Sequence, residues 1–424
     1  MRIAIIAPGS RGDVQPYIAL GKGFKKAGYV VRLVTHQNFE ELVNSYGLEF
    51  WSIGGNVQDI AQSKEMSGRI GKGNFLSVIS QMAKEAQRGA LIMAEGGLAA
   101  CKGMDLILSG IGGLFIGYSI AEKLDIPFLQ AYYIPFTPTK AYPSFLFSRL
   151  PFKLGGIFNR FSYSIVRQMM WQGFRSADKL ARQKVLDLPP APIGGPYKTD
   201  RFNQLPILNG FSPNVIPKPP DWDDNNHITG YWFLDSATNW TPPSDLTEFI
   251  QSGPPPVYVG FGSMSSRDPK ETTNLVLQAL AKTKQRAIIL SGWGGLYKKT
   301  LPDTVFMIES APFSWLFPHL SVVIHHGGAG TTAAGLRAGV PSIVIPFFGD
   351  QFFWGQRIAK LGVGPEPIPR KILTVERLTQ AIQKAIVDKA MRQKAVDLGS
   401  KIQEEAGIKN AISVIKYIEE HLLS

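Results

Sequence analysis

Two histidines followed by a glycine-rich run, His325-His326-Gly327-Gly328-Ala329-Gly330-Thr331-Thr332, are the residues of this sequence best placed to do chemistry, and Phe347-Phe348-Gly349-Asp350-Gln351 follows them closely. The run comes after the β-branched stretch Ser321-Val322-Val323-Ile324 and before a helical pattern. That order reads as a strand-to-helix turn in a parallel sheet. Such a turn offers unpaired backbone N–H groups and a helix N-terminus to an anion. Histidines beside it add hydrogen bonds or positive charge, which suits a diphosphate that leaves as an anion. For an isolated cluster, glycines that serve only helix–sheet packing are the competing reading.

A second chemical candidate stands near the start, in Pro8-Gly9-Ser10-Arg11-Gly12-Asp13-Val14-Gln15-Pro16. The Asp13 carboxylate, in a turn after the first strand, could take a proton from an attacking hydroxyl. An aspartate at a helix start also serves as a local cap. His36 is a further candidate, although a lone histidine after a strand is more often a packing residue. The first turn lacks the G-x-G-x-x-G spacing of a dinucleotide site, and Thr35-His36 places no carboxylate for a ribose after the second strand. No P-loop spacing occurs either, so the phosphate site falls in the second half.

The elements that must position these residues form two α/β halves. In the first, Ile3–Ile6, Val30–Val34, Leu48–Ile53, Leu106–Leu108 and Pro127–Tyr132 read as strands, with a helix from about Pro16 to Ala27. In the second, Pro256–Phe261, Ala287–Leu290, Val305–Ile308, Val322–Ile324 and Ser342–Ile345 repeat the pattern, and helices are expected over Val375–Ile386, Ala390–Glu404 and Ile408–Leu422. The alternation predicts parallel, doubly wound sheets, that is, two Rossmann-like halves with a cleft between them. Pro, Gly, Asn and Asp crowd residues 188–226, which therefore read as the linker.

Composition bounds the rest. A chain of 424 residues, 44% hydrophobic and 18% charged, predicts a soluble protein of more than one domain. The single cysteine, Cys101, excludes an internal disulfide and makes a reducing cytoplasm the expected location. Met1–Ala7 has no signal-peptide pattern, and Leu106–Ala121 is too short to span a bilayer. The excess of 45 Lys and Arg over 33 Asp and Glu suits an anionic partner. Without zinc spacing, an aromatic ladder or an arginine-rich arm, that partner is not expected to be nucleic acid. Residues 140–182 hold eight basic side chains and one acidic side chain, Asp178, interleaved with aromatics that include Tyr142, Phe145, Phe147, Phe158 and Phe161. The mixture suits a membrane surface or a greasy acceptor, or an ordinary amphipathic helix pair with a solvated basic face.

Five separated motifs in one order carry a resemblance over nearly the whole chain: Gly9 to Pro16, Thr35 to Phe39, Ile134-Pro135-Phe136-Thr137-Pro138-Thr139, Trp315-Leu316-Phe317-Pro318, and the region from His325 to Gln351. Together they resemble the sterol 3-β-glucosyltransferases and their bacterial relatives, inverting UDP-sugar-dependent enzymes of GT-B fold. The resemblance implies an acceptor domain over 1–217, a UDP-sugar domain over 218–424, and a last helix, about 408–422, that crosses back. It implies UDP-glucose as co-substrate, no cofactor and no metal. It makes Asp13 the catalytic base and places Ser10, Arg11, Gly262, Ser263, His325, His326, Ala329, Gly330, Thr331, Asp350 and Gln351 on the donor, with Ala311 and Phe313 at the uracil. Many relatives carry His-Asp where Phe313-Ser314 stand here. His36, Phe136, Tyr142 and Phe145 are the acceptor-side candidates, for a hydrophobic hydroxyl compound with peripheral membrane contact. A polyketide or flavonoid acceptor, or a nucleotide-sugar epimerase, is the alternative. Asp221-Trp222-Asp223 matches the D-x-D metal pattern of another glycosyltransferase class but reads here as a solvated linker loop.

Overall fold

The computed structural model describes residues 1–54, 75–150, 154–235, 240–262, 269–291 and 301–422. They divide into two compact units. Of these residues, the first comprises 1–54, 76–234 and 405–422, and the second residue 75 and the described residues of 235–404.

In the first unit the β-branched runs of the sequence become an all-parallel sheet of seven strands: β1 (Arg2–Ile6), β2 (Val30–Thr35), β3 (Glu49–Ser52), β4 (Leu106–Ser109), β5 (Phe128–Tyr132), β6 (Ile207–Asn209) and β7 (Asn226–Ile228). Their order is β3-β2-β1-β4-β5-β6-β7. Strands covered on both faces need near-continuous apolar residues, and Ile3–Ile6 and Leu106–Leu108 are fully buried. Helices α1 (Arg11–Lys26), α2 (Phe75–Cys101), α3 (Leu114–Leu124) and α4 (Gly155–Ala181) connect them. Helix α1 begins at Arg11 and not near Pro16. Ser10 serves as its N-cap and Asp13 reaches back to the Ser10 N–H, so Pro16 lies inside the helix.

β6 falls within the stretch that reads as a linker, and β7 begins at its last residue. Phe202, Leu205, Leu208, Phe211, Val215 and Ile216 around them are buried, so most of that stretch is folded core. The first unit accordingly extends to Leu234, beyond the expected boundary at residue 217, because β7 adds to its sheet.

The second unit has a five-stranded parallel sheet, β8 (Val257–Gly260), β9 (Ala287–Leu290), β10 (Val305–Ile308), β11 (Val322–His325) and β12 (Ser342–Val344), in the order β10-β9-β8-β11-β12. Helices α5 (Pro269–Thr283), α6 (Ala329–Arg337), α7 (Gln351–Leu361), α8 (Val375–Val387) and α9 (Lys389–Gln403) cover it. The final helix α10 (Gly407–His421) packs in the first unit, where Ala411, Val414, Ile415 and Ile418 join the core around α1. Each fully buried Ile contributes on the order of 1.5–3 kcal/mol of burial. Among the described residues, no helix is long and apolar enough to cross a membrane.

Candidate functional site

A parallel sheet presents ligands with a crevice where the strand order reverses, at the carboxyl ends of the strands. In the second unit that point lies between β8 and β11, where Gly260 pairs in register with His325. Gly262 follows β8, His326 follows β11, and Asp350-Gln351 follow β12, so three of the sequence motifs reach one edge of one sheet. A Cβ on Gly327 would lie 2.9 Å from the Gln351 carbonyl and 2.6 Å from Val344 Cγ1. The glycine lets the two loops touch, and its φ of +91° favours glycine for a second reason.

The two histidines take different roles. His325 is fully buried, and its Nδ1 accepts the Gly327 N–H at 3.0 Å, so the ring proton sits on Nε2. Burial, with His326 close by, pushes its pKa down to about 3. His325 thus braces the turn from beneath and is not presented to a ligand. The His326 ring lies against the turn itself: a Cβ on Gly328 would meet its Nε2 at 2.5 Å, and one on Gly262 its Cε1 at 3.3 Å. Burial lowers the His326 pKa to about 4, so the ring offers an N–H and not a positive charge. Gly328 is the N-cap of α6, and the first N–H groups of that helix, at Ala329, Gly330 and Thr331, have no acceptor within the helix. Around Gly330 the space is open. Neutral N–H donors and a helix dipole, not imidazolium charge, are what this turn holds out to an anion.

Asp350 is the N-cap residue of α7 but makes no side-chain cap bond; its Oδ2 accepts Trp354 Nε1 at 3.0 Å. Gln351 is buried, and its Oε1 accepts the N–H groups of Phe347 at 2.7 Å and Phe348 at 3.2 Å. That oxygen shapes the loop, so any grip on a ligand falls to other atoms of the pair. Phe313 opens a short helix after β10 and stacks on Phe317 at 4.4 Å, with Ala311 packed beside it. Their strand β10 stands three places from β11 in the sheet order, but Phe313 also meets Tyr258 of β8 edge-to-face at 5.8 Å. Ser263 lies outside the described residues.

In the first unit the order reverses between β1 and β4, and the turn after β1 carries Ser10, Arg11 and Asp13. Asp13 sits at the third position of α1, within the helix and not in the turn before it. Its Oδ2 accepts Ser10 N at 2.6 Å and Ser10 Oγ at 2.7 Å, and its Oδ1 accepts the Tyr133 hydroxyl. Arg11 is exposed. Tyr133 is a site residue that the sequence reading missed. Its position directly after β5, on the carboxyl edge that holds the Asp13 turn, was the available signal.

His36 is buried with Nδ1 2.8 Å from the Gly54 carbonyl, a packing arrangement. Phe136 is buried in edge-to-face contact with Tyr132 and lies under the Arg167 guanidinium. Phe145 is buried, and Tyr142 partly so. The Asp221-Trp222-Asp223 stretch is more than a solvated loop. Asp221 accepts Thr139 Oγ1 at 2.5 Å and Lys140 N at 2.8 Å, and Trp222 Nε1 donates to the Pro138 carbonyl at 3.1 Å. Asp223 instead accepts Asn226 Nδ2 at 2.6 Å, so the two carboxylates serve different partners. Among the described residues no group of acidic, His or Cys side chains is arranged to hold a metal.

Comparison with known proteins gives this geometry a family. Residues 3–143 match the glycosyltransferase family 28 N-terminal domain, and residues 275–410 match the erythromycin biosynthesis protein CIII-like C-terminal domain. A sterol 3-beta-glucosyltransferase of Arabidopsis thaliana, UGT80B1, is 37% identical over 97% of this chain and 67% of its own length. The chain belongs to the sterol 3-beta-glucosyltransferase family. A second Arabidopsis sterol 3-beta-glucosyltransferase is 37% identical, with 97% of this chain matching 64% of it. The family member of Aspergillus clavatus is 37% identical over 99% of this chain, which spans 30% of that longer protein. The glycotransferase of kitacinnamycin superposes with a TM-score of 0.70 at 19% identity, 98% of each chain being covered. Calicheamicin glycosyltransferase CalG4 gives 0.66 at 17% identity, over 100% of this chain and 99% of its own. The two parallel-sheet units are thus those of the GT-B glycosyltransferases, and the family is one of glycosyltransferase enzymes.

Proposed function

We propose that the protein transfers glucose from UDP-glucose to the hydroxyl of a sterol or similarly hydrophobic alcohol, inverting the anomeric centre. The observation that carries this reading is the meeting of His326, the open start of α6 and the Asp350-Gln351 loop at one sheet edge. Such an edge can hold a diphosphate and the sugar attached to it. The names of the plant and fungal relatives supply the sugar and the acceptor class.

In this reading the acceptor hydroxyl displaces Tyr133 at Asp13 Oδ1 and gives its proton to the carboxylate. Its oxygen bonds to the anomeric carbon as the bond to the diphosphate oxygen breaks. The electron pair goes to UDP, whose growing charge meets the N–H groups of α6 and of His326. The residues supply hydrogen bonds, a base and a dipole.

Asp350→Ala tests the donor half. Calorimetry should show UDP-glucose affinity falling by about tenfold with UDP affinity unchanged, since the ligand contacts removed are to sugar and not to phosphate, while a thermal melt reads separately the loss of the Trp354 Nε1 bond. Equal losses for both ligands would reject the assignment. UDP release measured across UDP-sugars and a panel of sterols, phenols and polyketides tests the whole reading, and turnover confined to polar sugars would overturn the acceptor.

A further inference from the structure

Helix α4 carries an arginine that no carboxylate answers. Arg167 lies 5.3 Å from the ring centroid of Phe136 and 5.1 Å from that of Tyr197. Its Nη2 reaches the Phe136 carbonyl at a long 3.3 Å, and its Nε is buried with no acceptor among the described residues. The titratable groups that its charge faces are the hydroxyls of Tyr132, Tyr163 and Tyr197, and tyrosine is neutral near pH 7. Burial lowers the Arg167 pKa from the ordinary arginine value, yet a guanidinium stays protonated. No Asp or Glu occurs in the sequence between Asp125 and Asp178. Asp221, the carboxylate held beside this loop, is already engaged by Thr139 and by the Lys140 backbone.

Two hydroxyls beside it are also unanswered. Tyr163, one helical turn before Arg167 on the same face, is 1% exposed, and Thr137, next in the chain to Phe136, is 7% exposed. Neither hydroxyl has a hydrogen-bond partner among the described residues. A buried hydroxyl without a partner costs stability, and a buried cation without one costs more. Three such groups gather where α4 meets the loop after β5, and all three can donate a hydrogen bond. Their complement is a small anion with two acceptor oxygens. The planar edge of a guanidinium, Nε beside Nη, matches a carboxylate in this way. The surroundings are aromatic, with Phe136 and Tyr132 buried and edge-to-face at 5.2 Å, so a hydrophobic body suits the carboxylate that enters. Tyr133, the partner of Asp13, opens the same loop, which sets the proposed base and these donors at one strand end.

We infer that Arg167, Tyr163 and Thr137 form a subsite for the carboxylate of a hydrophobic hydroxy acid. Its hydroxyl is the end that reaches Asp13, and for that end alone the inference rests on the proposed transfer reaction. The acceptor class narrows accordingly, from any greasy alcohol to one with an anionic group remote from the reacting oxygen. Binding of the carboxylate itself requires no UDP-sugar.

The test is calorimetry of the full chain near neutral pH, without UDP-sugar, against 3β-hydroxycholenoate and its methyl ester. The acid carries its carboxylate at the far end of the molecule from its hydroxyl, and the ester differs only in charge. The acid should bind at least about tenfold more tightly than the ester, the scale of a charge-assisted bidentate pair. Arg167→Met should erase that preference while ester affinity changes by less than about threefold. Tyr163→Phe with Thr137→Val should lower the affinity for the acid by about tenfold and leave or raise the melting midpoint, because the deleted hydroxyls have no partners to lose. That pair carries the test if Arg167→Met misfolds. Four outcomes overturn the inference: equal affinity for acid and ester in the parent, a preference undiminished in either variant, acetate bound as tightly as the steroid acid, or a midpoint that falls in the hydroxyl pair. Acetate binding would make the occupant a free small anion, and a lower midpoint would show the hydroxyls already satisfied within the fold. Glucose transfer by the parent to an uncharged sterol is a separate measurement. Its failure would leave the carboxylate subsite standing, and equal binding of acid and ester would leave the transfer standing.

Discussion

Asp13→Asn separates a catalytic base from a helix cap. The carboxylate accepts two hydrogen bonds from Ser10, at 2.6 and 2.7 Å, and one from Tyr133. An amide with its oxygen toward Ser10 keeps the first two and turns an N–H toward Tyr133, whose hydroxyl can rotate to accept it. The structural loss is then about 1 kcal/mol, the scale of a weakened cap. In a unit of this size that lowers a melting midpoint by roughly 2–4 °C. Loss of the base should cost about 10²–10⁴ in turnover, or about 2.7–5.5 kcal/mol at 1.36 kcal/mol per decade. These ranges do not overlap, and Ser10→Ala provides the control. It removes one donor to Asp13 and keeps the carboxylate, so its midpoint should fall similarly while turnover changes by less than about tenfold. The assay is UDP release at saturating UDP-glucose and sterol beside a thermal melt of each variant. An asparagine variant that melts like Ser10→Ala and loses less than tenfold in turnover would show Asp13 to be a cap and nothing more.

Gly328→Ala has ordinary backbone angles, φ −63° and ψ 145°, so its effect isolates the 2.5 Å collision with His326. Driving the ring aside should cost about 1–3 kcal/mol of stability and about tenfold or more in UDP affinity, both readable by calorimetry. Protons provide a further check. The unfolded chain binds a proton on His325 near pH 6.5, whereas the folded chain resists it until about pH 3. Stability from this residue is therefore complete above pH 6.5 and is lost as pH falls, by about 2 kcal/mol at pH 5. Urea midpoints across that interval should show a steeper acid loss in the parent than in His325→Gln.

Fold class and the sheet edge that carries the glycine-rich turn were legible because they rest on strong local signals. β1, β2, β8 and β11 are uninterrupted apolar runs, and the glycines after β11 announce a turn against a helix. β6 and β7 were not legible. Each has three residues, flanked by Pro, Asn and Asp, and gains its identity only from the register of the neighbouring strand. Helix α1 was misplaced because Pro16 suggested a first turn that Ser10 had already begun. Among site residues, His326 and Asp13 stand at sheet edges as read. Tyr133 and the Asp221 staple depend on contacts across 120 and 82 residues of sequence, which no local pattern encodes. His325 and Gln351 were legible as motif members but not as braces, because burial decides which atoms of a motif face outward.

The return of α10 to the first unit fixes an order of events in synthesis. The second unit is an insertion, since the chain leaves the first unit after Leu234 and re-enters at Glu405, where Glu405 accepts Asn214 Nδ2 at 2.9 Å and Gly407 packs so close that a Cβ on Gly230 would lie 3.1 Å from its Cα. Of the two sheets, that of the first unit emerges earlier from the ribosome and waits, with the α1 face meant for Ala411, Ile415 and Ile418 uncovered, until α10 arrives. The second unit has all its strands and helices by residue 404 and can close earlier. The half made first is thus the half finished last, and the exposed α1 groove is where a nascent chain of this kind most needs a chaperone.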